Sequence, residues 1–100
     1  MIDLKRVERF EWDSGNARKS EKHGITQAEA EQVFVNEPLL LLADIKHSHK
    51  EQRYHALGKT NDERLLHITF ALRGNGAKIR IISARPMHRK ERSVYEQEKT

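Results

Sequence analysis

Arg80 and Arg85 stand inside a β-branched run, Lys78-Ile79-Arg80-Ile81-Ile82-Ser83-Ala84-Arg85, which leads through Pro86 into a basic segment. A strand and a helix alone do not require guanidinium groups set among isoleucines. The planar guanidinium fork bonds two phosphate oxygens at once, so this stretch points to a nucleic-acid backbone. Side chains on a strand alternate between faces. Arg80 therefore goes with Lys78 and Ile82, and Arg85 with Ile79, Ile81 and Ser83. The two arginines meet in one site only if a bulge or the end of the strand re-aims one of them. For Arg80 the plain structural alternative is an ion pair across the sheet.

Other residues suit the same chemistry. Arg53 shares a strand face with His55 and Leu57 and is a candidate phosphate ligand or an ordinary surface arginine. Glu51, two residues earlier, is a candidate proton acceptor or an ion-pair partner of Arg53. Lys22 and His23 close a helix, where cations complement the dipole by about 0.3–1 kcal/mol. The same field favours a cationic imidazole, which suits His23 to proton donation and Lys22 to fixed charge beside a phosphate. His88 and Arg92 share a helix face at i,i+4, as do Glu91 and Tyr95. Arg92 and His88 are candidate RNA contacts. Tyr95 either stacks on a base or seals the helix against the sheet. His47, Ser48, His49 and His55 lack the thiolates or clustered carboxylate of a convincing metal site. No metal or cofactor is expected.

The elements that must position these residues follow from local pattern. Residues 7–12 read as a short strand. Asp13 caps a first helix through Lys22, and Gly24 suits the left-handed turn after it. Thr26 and Glu29 have capping-box spacing and Ile25 with Ala30 the staple spacing. Ala30, Val33 and Phe34 give this second helix an apolar face, and Pro38 ends it. The continuous apolar run at 39–43 reads as a buried strand, followed by a polar loop. Strands are expected at 53–59, 65–72 and 78–84. Thr60-Asn61-Asp62 and Arg73-Gly74-Asn75-Gly76 supply the turns between them. Pro86 suits the first position of a last helix to about residue 98. The expected fold is α+β in a single domain over residues 1–100: an N-terminal strand and two short helices, a four-stranded antiparallel meander, then a C-terminal helix.

Composition sets the outer limits. The chain has 100 residues, 34% of them charged and 36% hydrophobic, and a net charge of +4. A typical domain carries about 25% charge. The core is therefore thin, and a partner is expected to add stability. The basic balance favours RNA, DNA or an acidic protein. There are no cysteines, hence no disulfide framework, which fits a reducing, cytoplasmic location. No apolar run approaches the roughly 20 residues of a membrane span, and the N-terminus lacks a signal-peptide pattern.

Taken in order, Phe10-Glu11-Trp12-Asp13, Lys22-His23-Gly24-Ile25, Val33-Phe34, Glu51-x-Arg53 with Gly58, Arg80-Ile81-Ile82-Ser83-Ala84-Arg85 and Glu91-Arg92-x-x-Tyr95 resemble the BrnT-type toxins of bacterial type II toxin–antitoxin systems. The resemblance runs from about residue 10 to 96. It implies a RelE-like ribonuclease fold and RNA cleavage that halts translation. It also implies a cognate antitoxin with a ribbon-helix-helix DNA-binding part, and promoter DNA bound through that antitoxin. The family's functional residues fall here on Lys22, His23, Arg53, Arg80 and Arg85, with Glu51, Glu91, Arg92 and Tyr95 as further matches. The alternative is a catalytically inactive basic module that binds nucleic acid or an acidic antitoxin.

Overall fold

The computed structural model describes residues 4–47 and 51–99. After a 3-10 turn at Leu4–Arg6 come β1 (Arg9–Glu11), α1 (Ser14–Lys22), α2 (Gln27–Gln32) and β2 (Leu40–Asp44). A second 3-10 turn, Ile45–His47, precedes β3 (Arg53–Lys59), β4 (Leu65–Arg73), β5 (Lys78–Pro86) and α3 (Arg89–Lys99). The strands form one sheet in the order β1-β5-β4-β3-β2. The four-stranded antiparallel meander is present, and β1 adds a fifth strand parallel to β5.

The local signals act as their chemistry requires. Asp13 caps α1, its carboxylate accepting from Asn16 N–H at 2.7 Å. Thr26 and Glu29 close a full capping box on α2. Gly24 at φ +69° turns the chain between the helices, a region an L side chain avoids.

One face of the sheet is the core. Ala56, Leu66, Ile68, Phe70, Ile79, Ile81 and Ala84 meet Ile25, Ala30 and Val33 from the helical layer. Phe34 lies tilted against Phe10 and edge-on to Phe70, with centroids 5.5 and 5.0 Å apart, and Tyr54 stacks on Phe70. Gly58 leaves room for Val33, since a Cβ there would lie 2.7 Å from Val33 Cγ1. On the opposite, outer face, a smaller cluster of Leu57, Met87 and Tyr95, with Leu40 and Leu65 against it, is covered by α3.

Two expectations need correction. The run at 39–43 is not a buried strand. β2 lies at the sheet edge, and Leu42 is 53% exposed. An apolar run does not distinguish a central strand from an edge; only its neighbours do. Pro86 does not begin α3 either. It pairs with Leu66 as the last residue of β5, and α3 starts at Arg89. Met87 N–H reaches Leu65 O at 3.1 Å. Backbone N–H groups alternate in direction along a strand, so the nitrogen of Pro86 faces away from β4. β1 pairs only with Lys78–Arg80, so no ladder bond is lost there.

Candidate active site

The register of the sheet sets three rows of side chains across its outer face. The first is Asp44, Arg53, Ala71, Arg80 and Glu11. The second is Leu42, His55, Thr69 and Ser83; the third is Leu40, Leu57, His67 and Arg85. Strict alternation would separate Arg80 from Arg85. A bulge prevents this: Phe70 pairs with Ile81 and Thr69 with Ser83, so Ile82 is the extra residue. The bulge resets the alternation, and Arg80, Ser83 and Arg85 share one face. Arg53 and Arg80 flank Ala71 from the strands on either side. Strands are spaced by about 4.8 Å, so the two backbones stand about 10 Å apart over a small-residue floor.

Carboxylates hold Arg80 and Arg85 in place. Arg80 Nη1 donates to Glu51 Oε1 at 2.9 Å and Nη2 to Asp13 Oδ2 at 3.3 Å. Glu51 Oε2 also accepts from Arg73 Nε at 3.4 Å. Glu51 is therefore the partner of Arg80 and Arg73. Arg85 meets Glu91 through two parallel bonds of 2.8 Å. The Arg85 bond, aided by the His88 N–H, outweighs burial and holds the Glu91 carboxyl down at about 2. The Asn16 N–H lowers the Asp13 pKa first, with Arg80 adding to it. Glu11 Oε1, in the first row, is buried without a hydrogen-bond partner among the described residues.

Two histidines that the sequence did not single out for catalysis lie in the middle of this face. His55 reaches Asp44 Oδ2 through Nε2 at 3.1 Å and Thr69 Oγ1 through Nδ1 at 3.1 Å. Asp44 is also held by His47 Nδ1 at 3.0 Å. Burial pushes the Asp44 carboxyl up, but His47 and His55 together bring it below its usual value. The His67 ring lies 4.7 Å from that of His55, and its Nε2 is 3.7 Å from Glu91 Oε2. Burial, then the Arg85 guanidinium, pushes His67 down to about 4, so it is neutral at pH 7. The signal for both was present in the sequence: His55 shares a strand face with Arg53, and His67 lies with Thr69 on the face of β4 opposite Leu66, Ile68, Phe70 and Leu72.

The remaining candidates are placed as follows. Lys22 and His23 are exposed at the end of α1. Among the described residues no side-chain hydrogen bond or ion pair joins them to Arg53, Arg80 or Arg85. His23 is held through its carbonyl, which accepts from Arg64 Nη2 at 3.2 Å. His88 is exposed just before α3, and Arg92 is exposed in its first turn beside Glu91. Tyr95 is fully buried and donates to Pro38 O at 2.8 Å. It seals α3 against the sheet, and no base can stack on it in this arrangement. Ser48 and His49, two of the residues weighed as a metal group, lie outside the described residues. Among the described residues no group of three or more His, Cys, Asp or Glu is arranged to hold a metal ion. Among the described residues no helix is long and apolar enough to cross a membrane.

The comparisons with known proteins agree with this architecture. No curated protein matches the chain. The crystal structure of the Brucella abortus ribonuclease toxin BrnT superposes with a TM-score of 0.55 at 20% sequence identity. It covers 83% of this chain and 100% of the Brucella chain, which establishes a shared fold. The family model described as "Ribonuclease toxin, BrnT, of type II toxin-antitoxin system" matches residues 12–91, which takes in α1, α2, β2 to β5 and the first turn of α3. The chain belongs to the BrnT family of ribonuclease toxins of type II toxin–antitoxin systems.

Proposed function

We propose that this chain is a metal-independent endoribonuclease that cuts RNA by attack of a 2′-hydroxyl on the adjacent phosphorus. The products are a 2′,3′-cyclic phosphate and a 5′-hydroxyl. The observation that carries this reading is the bulge at Ile82, which puts Arg80 and Arg85 on one face with Arg53. Three guanidinium groups around a floor of Ala71, Thr69 and Ser83 suit the charge that builds on non-bridging phosphate oxygens. Glu51 orients Arg80 in this scheme. His23 is the proposed donor to the leaving 5′-oxygen, with Lys22 beside it as fixed charge. His88, exposed just before α3, and Arg92, exposed on it, extend the basic surface along the RNA. Cleavage of cellular RNA would inhibit translation. A cognate antitoxin carrying a ribbon-helix-helix DNA-binding part would neutralise the chain and carry it to promoter DNA. The net charge of +4 favours an acidic surface on that partner.

A specific contact favours a second reading, in which the face binds RNA or antitoxin without catalysis. Both terminal nitrogens of Arg85 are already bonded to Glu91. Product analysis on a defined RNA separates the two. Cyclic phosphate and 5′-hydroxyl ends, formed equally with and without EDTA, support the enzyme. A 3′-hydroxyl end, or activity abolished by EDTA, refutes this chemistry. Salt-sensitive binding with intact RNA supports the binding module. Induced expression of wild type and His23→Ala in a bacterium, with growth and RNA integrity followed, tests the toxic activity and the role of His23 together.

A further inference from the structure

The ribonuclease reading leaves its proton acceptor unassigned, and the outer face holds a hydrogen-bonded chain that fits. Glu51 is engaged by Arg80 and Arg73, and Glu91 by Arg85. Asp44, His55 and Thr69 come from three neighbouring strands, β2, β3 and β4. His55 Nε2 is 3.1 Å from Asp44 Oδ2, and Nδ1 is 3.1 Å from Thr69 Oγ1. An ionised carboxylate only accepts hydrogen bonds, so Nε2 carries the hydrogen. In the neutral ring Nδ1 then presents its lone pair, and the Thr69 hydroxyl must donate to it. The contact with Asp44 thus fixes the tautomer that leaves a basic nitrogen on the Thr69 side.

The chain sits where an RNA phosphate would lie. Thr69 is directly opposite Ser83, in the row between Arg80 and Arg85, and it is only partly buried. Arg53 stands on the strand of His55, two residues away. The groups that face His55 are Asp44 and Leu42 from β2, Arg53 from its own strand, and Thr69 and His67 from β4. His47 reaches the same Asp44 carboxylate. His67 is neutral at pH 7 and so adds no charge against an imidazolium forming beside it.

Resting on the ribonuclease reading, we infer that Thr69 meets the attacking 2′-hydroxyl and relays its proton to His55, which Asp44 positions. In the step, the O2′–H bond breaks and its proton passes to Thr69 Oγ1, while the Thr69 proton moves to His55 Nδ1. The freed electron pair forms the O2′–P bond. The P–O5′ bond breaks with its pair on O5′, which takes a proton from the donor assigned above to His23. His55 is left as an imidazolium bonded to Asp44. Thr69 is thus a catalytic residue, and Asp44 a positioning residue acting through His55.

The test is single-turnover cleavage of a defined RNA by the full chain from pH 5 to 9, with wild type, His55→Gln, Thr69→Val, Thr69→Ser and Asp44→Asn. Wild type is expected to gain rate tenfold per pH unit on the acid side and then level. His55→Gln and Thr69→Val are expected to lose about 10²–10⁴-fold in rate, and His55→Gln to lose the acid limb. Thr69→Ser keeps the hydroxyl and is expected to stay within about tenfold of wild type. Asp44→Asn is expected to lower the rate with KM unchanged. Affinity for the same RNA carrying a 2′-deoxy sugar at the cleavage site is expected to change less than about threefold in the Thr69 variants. A wild-type acid limb in folded His55→Gln, or a wild-type rate in Thr69→Val, overturns the inference while cleavage itself stands. Thr69→Val is near-isosteric, so the test holds even if a His55 variant folds poorly. Wild type that yields no cyclic phosphate overturns the ribonuclease reading instead.

Discussion

Arg85 and Glu91 face each other as a closed fork, Nη1 to Oε1 and Nη2 to Oε2, each at 2.8 Å. The pair ties the end of β5 to the first turn of α3. Glu91 also accepts the His88 N–H at 2.8 Å, so one carboxylate orders both the strand exit and the helix start. Glu91→Gln keeps the shape and removes the charge. It is expected to cost about 1.5–3 kcal/mol in urea unfolding, the range for hydrogen bonds to charged groups. A change below about 0.5 kcal/mol would mean that α3 docks without this pair.

Acid should weaken the fold in two successive windows. The pKa of His67 is depressed to about 4 in the folded chain, so the unfolded state binds its proton first. That contribution to stability is whole above about pH 6.5 and is lost as pH falls toward 4, at up to about 1.4 kcal/mol per pH unit. Glu91 is likewise depressed, to about 2. Its contribution is whole above about pH 4.5 and is lost toward pH 2. Unfolding free energy measured against pH should fall below pH 6.5 in wild type. The difference between the wild-type and His67→Gln curves isolates the first window, and parallel curves from pH 7 to 4.5 would refute it.

Arg80 is braced from two sides, by Glu51 and by the α1 cap Asp13. Arg80→Ala is expected to lower RNA cleavage by about 10²-fold or more, the scale of losing one preorganised transition-state donor. It should also weaken RNA binding. Full activity in this variant would remove Arg80 from the site.

Tyr95→Phe tests the placement of Tyr95 as a seal. Its hydroxyl is the donor to Pro38 O, and the side chain is buried. Deleting that hydroxyl strands a carbonyl and is expected to cost about 1–2 kcal/mol of stability. RNA affinity should stay within twofold; a larger loss at unchanged stability would place Tyr95 in contact with RNA.

Much of the local structure was legible in the residues. Asp13, Thr26 with Glu29, and Gly24 act as caps and turn within a few residues of chain, so their chemistry needs no distant partner. The alternation along β3 and β4 likewise gave their spans and faces. Arg80 and Arg85 were legible as candidate phosphate ligands because charge among β-branched residues is conspicuous in sequence, and Arg53 because it shares a strand face with His55 and Leu57.

What stayed hidden depended on contacts between distant segments. The sequence by itself determined which segments are strands and helices, which caps bound the helices, and which residue types could hold a phosphate. These are set by propensity, spacing and side-chain chemistry over short range. The tertiary structure decided that β1 joins β5 in parallel and that β2 is an edge. It also decided that Ile82 bulges so that Arg80 and Arg85 share a face, since register is fixed only when the whole inner face packs at once. The same register brought Asp44, His55 and Thr69 together from three strands.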